Sequence, residues 1–226
     1  MRLKIFNFET ELHLNEGKVN LVEIHNESLF RKVIESIKHQ SRNEDPVEKI
    51  WIYSDDYQEV NSRDIDLVFD FFNIFSNIRI INPVAKAIEE NLDEYKNKVI
   101  EDTNNQLNKL ATELLYDLDI GIDYKKSYRL VELLTILKIK IEEEKSILDN
   151  LFVLIDYLSL FKPQIFLFIV NVKTYLTYEE INEVYTYILA KGVNIILLEG
   201  RASKRMIKNE HKLIIDEDFD DYYKGN

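Results

Sequence analysis

Residues 165–199 read IFLFIVNVKTYLTYEEINEVYTYILAKGVNIILLE. Ile165–Val170 is continuously apolar and rich in β-branched and aromatic residues. That is the pattern of a strand covered on both faces, in the middle of a parallel sheet. Thr177-Tyr178-Glu179-Glu180 forms a capping box, in which Thr and Glu three apart satisfy each other's backbone N–H groups. Ile181, Val184, Tyr185, Ile188 and Leu189 then recur at helical spacing, and Gly192 is placed to stop the helix in the left-handed conformation. Asn194–Glu199 is a second apolar strand. Strand, helix and strand in this order cross over right-handedly into a parallel sheet, so the class is α/β.

Upstream, Ser146–Leu160 is a strongly apolar helix expected to be buried on most sides, and Ser127–Leu137 a short amphipathic one. At the other end, Arg2–Phe8 and Lys18–Glu23 alternate around Asn15-Glu16-Gly17 and read as an opening pair of strands. Asn26 or Ser28 caps a helix whose apolar face is Leu29, Phe30, Val33, Ile34 and Ile37. Ser41–Pro46 ends that helix, and Lys49–Ser54 is a third strand. Asn82-Pro83 starts another helix, since Pro loses no needed N–H there. Ala85, Ile88, Leu92, Tyr95 and Val99, then Leu107, Leu110 and Leu114, carry it on as one long helix or two in line. At ~1.5 Å per residue it would reach ~50 Å unbroken. Either it protrudes as a helical leg or it packs back along the same core. The expected organisation is an α/β head from residues 1–61 and 143–226, interrupted by an α-helical leg of residues 62–142.

The chain has 226 residues, 46% hydrophobic and 12% aromatic, enough to bury a real core. With 5 Gly and 3 Pro, collagenous and low-complexity classes are excluded. No basic stretch followed by an apolar one comes after Met1, and the most apolar runs fall far short of the ~20 residues of a membrane span. A soluble, cytoplasmic protein without membrane attachment is therefore expected. Cysteine is absent, which removes disulfides, thiolate catalysis and Cys-based zinc sites. The histidines His13, His25, His39 and His211 keep no metal-ligand spacing. The net charge of −12, from 41 acidic against 29 basic residues, argues by itself against a nucleic-acid partner. DNA binding then requires lysines sorted onto one surface, or metal ions that neutralise part of the acid.

A parallel sheet invites a nucleotide, yet GxxxxGK followed by Ser or Thr occurs nowhere, and Gly17-Lys18 stands alone. Ile165–Val170 ends at Asn171, which cannot supply a charge to magnesium, whereas Asn194–Glu199 does end in a carboxylate. The scaffold is thus NTPase-like without the catalytic apparatus. Asp117, Asp119 and Asp123 surround Gly121 and form a hard-oxygen cluster suited to calcium, with Glu113 one turn earlier and Glu132 able to complete a shell. The spacing is not that of an EF-hand. The same acids also fit a plain solvated loop, or a two-metal nuclease, although no histidine sits nearby to activate water. Lys125, Lys126 and Arg129 follow, then Lys138 and Lys140 two apart on an IKI run and so expected on one face. These suit phosphates rather than base edges, or simply a solvated surface. The acidic run Asp216–Asp221 reads as a solvated tail or a subunit contact.

In order and wording the chain resembles the type II-A CRISPR-associated spacer-acquisition proteins of the Csn family, in their shorter branch. The resemblance runs over nearly the whole length. It lies in Ile5-x2-Phe8 with Leu21-Val22-Glu23 ahead of Phe30 and Val33-Ile34; in Asp66-Leu67-Val68-x-Asp70; in Asp117-x-Asp119 and Asp123; and in Leu130-x-Glu132-Leu133 leading to Ile139-Lys140-Ile141-Glu142. It continues through Phe168-Ile169-Val170-Asn171, Tyr175-Leu176-Thr177-x-Glu179-Glu180, Leu197-Leu198-Glu199-x-Arg201 and Ile215-Asp216-Glu217-Asp218.

The resemblance implies an α/β head with a mostly parallel sheet, resembling a P-loop ATPase without Walker motifs, and an α-helical leg. It implies a homotetrameric ring whose lysine-lined hole takes double-stranded DNA ends, and calcium held near the head–leg junction by residues matching Asp117, Asp119 and Asp123, with Glu132 as a further candidate. The implied role is capture of new spacers for antiviral defence, with the integrase proteins and the RNA-guided effector nuclease of the same locus as partners. About three extra residues fall within Tyr124–Arg129. The expected protein is therefore a scaffold and not an enzyme, with Lys125, Lys126, Arg129, Lys138 and Lys140 on phosphates. Its rivals are a metal-dependent nuclease using the same carboxylates and a protein-only adaptor.

Overall fold

A computed structural model describes residues 1–15, 17–46, 48–75, 80–118, 120–202 and 207–224. The chain divides into two compact units, Met1–Ser76 with Glu143–Asn226, and Asn77–Glu142. The first unit is α/β. Its strands are β1 (Arg2–Ile5), β2 (Glu11–His13), β3 (Val19–Ile24), β4 (Ile50–Tyr53), β5 (Ile65–Val68), β6 (Phe166–Val170), β7 (Asn194–Glu199), β8 (Glu210–Ile215) and β9 (Asp221–Lys224). Its helices are α1 (Glu27–Ser41), α5 (Ile147–Phe161) and α6 (Tyr178–Lys191), and the second unit carries α2 (Ile81–Glu89), α3 (Glu94–Leu115) and α4 (Leu130–Ile136).

Six strands form the main sheet in the order β5-β6-β7-β3-β8-β9, parallel except for β9. All five residues of β6 are buried, as a strand covered on both faces requires. Over one face α1 and a small antiparallel sheet, β2-β1-β4, join the core: Val22, Ile24, Phe168, Val170, Ile196 and Leu198 meet Val33, Ile37, Leu3 and Ile52. Elsewhere α6 packs on β3 and on α5, which buries Leu151, Leu154, Ile155 and Leu158. Asn26 starts α1 by accepting the N–H of Leu29 at 3.0 Å, and Gly192 ends α6 at φ 63°.

Three expectations are corrected. Arg2–Phe8 and Lys18–Glu23 do not pair: β1 pairs with Glu11–His13, a strand too short to show a period, while β3 enters the six-stranded sheet. Residues 62–76 belong with the α/β unit and not with the leg, because Ile65, Leu67 and Val68 are buried and β5 extends the sheet beside β6. The acidic run Asp216–Asp221 is not a tail: Asp216–Asp220 connect β8 to β9, which Asp221 begins, and Asp216 accepts the N–H groups of Asp218 and Asp220, each at 3.0 Å.

In the helical unit the long periodic stretch is two helices. Pro83 lies in the first turn of α2, where no N–H is missed. Asp93 then starts α3 afresh by accepting the N–H of Lys96 at 2.7 Å. The helix expected over Ser127–Leu137 begins only at Leu130, and α2 packs on α4. Among the described residues no helix is long and apolar enough to cross a membrane.

Phe168 is 1% exposed at the centre of the fully buried strand. Phe168→Ala is expected to cost about 3–5 kcal/mol through lost transfer energy and the cavity left behind. The midpoint of urea unfolding measures it; a loss under about 1 kcal/mol would mean that this strand is not the core.

Candidate nucleic-acid interface

The residues singled out from sequence fall on α3, on the strip that follows it, and on α4 and the residues just past it. Asn104, Asn108 and Thr112 are spaced four apart and so share one face of α3. Against them runs the extended segment Tyr124–Tyr128. Asn104 accepts the N–H of Tyr128 at 2.7 Å and donates to its carbonyl at 3.1 Å. Asn108 donates to the carbonyl of Lys126 at 2.6 Å, and the hydroxyls of Thr112 and Tyr124 lie 2.8 Å apart. Four helical residues rise about 6 Å and two extended residues about 6.6 Å, so the two repeats stay in step and in opposite directions. The pattern is legible only after the fact, because Asn and Thr at helical spacing look like a solvated face.

Glu132 is the best-connected acid of the unit. Its Oε2 accepts the N–H of Arg129, the residue preceding α4, at 2.9 Å, and its Oε1 receives Lys125 Nζ at 2.5 Å. Arg129 Nε stands 3.9 Å from the same carboxylate. The Lys125 hydrogen bond first, then the Arg129 N–H, hold Glu132 below the usual carboxylate range. The other acids are engaged locally: Asp123 accepts the N–H of Tyr124 at 2.9 Å and Glu113 pairs with Lys109 at 3.9 Å. Asp117 is exposed, and Asp119 lies outside the described residues. Gly121 does not take a positive φ, so no special turn depends on it.

Among the described residues no three His, Asp or Glu side chains come together to hold a metal. As placed, Glu113, Asp117, Asp123 and Glu132 do not fit a calcium shell, and the ammonium of Lys125 stands where a dication would meet Glu132.

The cations separate into two groups. Lys125 and Arg129 both face Glu132, so their charge is already answered within the chain. Lys126, Lys138 and Lys140 are exposed and make no ion pair among the described residues. The common face expected for Lys138 and Lys140 is broken, because Lys138 sits at φ 51° just past α4 and not on a strand.

The α/β unit holds a second constellation that the sequence reading passed over. Glu23, Glu199, Glu210 and Lys212 are all at least nine-tenths buried. Register puts Glu23 beside Glu199, and Lys212 on the same sheet face. Lys212 Nζ lies 3.0 Å from Glu23 and 3.5 Å from Glu210, which also receives Lys173 Nζ at 2.5 Å and the Tyr185 hydroxyl at 2.7 Å. Glu199 accepts the N–H of Lys173 at 3.1 Å, and His25 Nε2 lies 2.8 Å from Glu23. The available signal was a charge inside an apolar run, in LVEI and EHKLII. Glu23 and Glu199 lie near the carboxyl ends of their strands, where nucleotide-binding sheets of this kind hold phosphates, whereas Glu210 begins β8; here the two lysines are matched by the chain's own carboxylates.

A family model described as CRISPR-associated protein (Cas_Csn2) matches residues 42–219. The crystal structure of Stu0660 of Streptococcus thermophilus is similar with a TM-score of 0.62 at 12% identity, covering 96% of this chain and 74% of that one. At that identity the likeness is one of fold. No curated protein matches in sequence.

Burial pushes the Glu199 carboxyl up to about 7, against the Lys173 N–H and charge and helped by Glu23 and Glu210. The folded chain therefore keeps a proton that the unfolded chain releases near its ordinary value of 4.5. This contribution is complete below about pH 4.5 and is lost as pH rises through about 7. Glu199→Gln is expected to match the parent at about pH 4 and to exceed it in stability by on the order of 3 kcal/mol at about pH 8. A difference that does not grow with pH in denaturant titrations would contradict the assignment.

Proposed function

Because the chain belongs to the Cas_Csn2 family of CRISPR-associated proteins, matched over residues 42–219, we propose that it is a non-catalytic adaptation protein that grips the ends of double-stranded DNA while new spacers are acquired. In this reading four copies close into a ring, duplex passes through it without being read in sequence, and the integrase proteins and RNA-guided effector nuclease of the same locus are its partners. Family membership carries the reading. The chain's own geometry supports it in one respect: Lys126, Lys138 and Lys140 are exposed and free of ion pairs among the described residues, in a protein of net charge −12. An acidic chain attracts duplex only where its cations stay unanswered and are repeated by assembly.

Calcium is part of the proposal, with Asp117, Asp119 and Asp123 as its ligands. It rests on the family resemblance and on the spacing of these acids, since the described carboxylates do not converge as placed.

Fluorescence anisotropy with a linear duplex tests the reading. Binding is expected to be independent of sequence, to fall steeply with salt, and to resist competition by covalently closed circles. Replacing Lys126 and Lys140 by Gln is expected to weaken binding about tenfold and to flatten the salt slope. Calcium is expected to tighten binding relative to chelator, and equal affinity in both would remove the metal from the account. Duplex degraded in magnesium or manganese would favour a nuclease, and no binding even at low salt would favour a protein-only adaptor.

A further inference from the structure

The strip Tyr124–Arg129 is tied to α3 through Asn104, Asn108 and Thr112, and at its far end the tie passes to charge. Lys125 Nζ and the Arg129 N–H take one oxygen each of Glu132, at 2.5 Å and 2.9 Å. The Lys125 ammonium also stands 5.8 Å over the ring of Tyr128, whose backbone Asn104 clasps on both sides. The cation is therefore positioned from two directions. Its charge and that of Arg129 answer Glu132, which leaves this carboxylate a poor partner for a dication: an arriving ion would meet an ammonium within bonding distance of the same oxygen.

We propose that Lys125 is a built-in counter-cation, holding at Glu132 the place that the family resemblance gives to a calcium ion, and fastening Tyr124–Arg129 to the start of α4 without metal. The carboxylate keeps the role of a strip anchor, and the positive charge that completes it comes from the chain. The inference uses the calcium reading only as its contrast and does not need calcium to bind elsewhere. It also removes Lys125 from the cations available to phosphate.

The test uses the full-length protein with calcium alone as the probe. Calorimetric titration is expected to give wild type and Glu132→Gln the same calcium affinity within about twofold, whereas Lys125→Met, which keeps the stem and removes the charge, gains about tenfold or binds one further ion. Hydrogen exchange over residues 124–129 reads the tie itself. In the wild type it is expected to be equal in calcium and in chelator. In Lys125→Met it is expected to speed up in chelator and to slow again on adding calcium. A Glu132→Gln variant that loses calcium affinity about tenfold, or a Lys125→Met variant unchanged in both calcium affinity and exchange, would overturn the proposal. Wild type that binds no calcium while Lys125→Met does would defeat the calcium part of the proposed function and uphold this inference.

Discussion

A strand with no exposed side chain on either face dictates what must surround it. Phe166–Val170 is such a strand, and its burial requires a layer of structure above and another below. The chain meets that demand with α1 and the small sheet on one side and with α5 and α6 as the further helices of the unit. Parallel neighbours need long connections, and those connections are where the chain carries its other material. Between β5 and α5 that material is the whole helical unit, residues 77–142.

Charge obeys the same rule in both units, with different outcomes. Inside the α/β unit, Glu23, Glu210, Lys173 and Lys212 have given up water and are paired with one another, while Glu199 leans toward its neutral form. Such a cluster gives little net stability and leaves no free lysine for a phosphate, in keeping with the missing glycine-rich loop. In the helical unit the groups stay wet, so pairing is a matter of position. Lys125 and Arg129 are answered by Glu132, and Lys126, Lys138 and Lys140 stay exposed without an ion pair among the described residues.

Much of the fold was legible in the sequence, for a physical reason. The unbroken run of six apolar residues, a Thr-x-x-Glu cap and Gly192 each report a local constraint, and β6, α6 and β7 appear where those constraints put them. The failures share a cause too. Glu11–His13 is too short to carry a period, and Ile65–Val68 looks like any apolar turn until its neighbour β6 is known. The long periodic stretch, by contrast, reads as one helix or two in line, and the cap at Asp93 decides for two. The candidate site was harder to read: five cations were picked by proximity, and proximity cannot tell that Lys125 and Arg129 are spent on Glu132. Nor can spacing alone show that Asn104 and Asn108, ordinary polar residues, decide where the strip lies.

An acidic chain can hold duplex DNA only by repeating a few unanswered lysines around a closed assembly. Sedimentation of the full-length protein with one linear duplex weighs that claim directly. Four chains moving with one duplex, and the complex dissolving as salt is raised, is the predicted result. A single chain that sediments alone in the presence of DNA would contradict it.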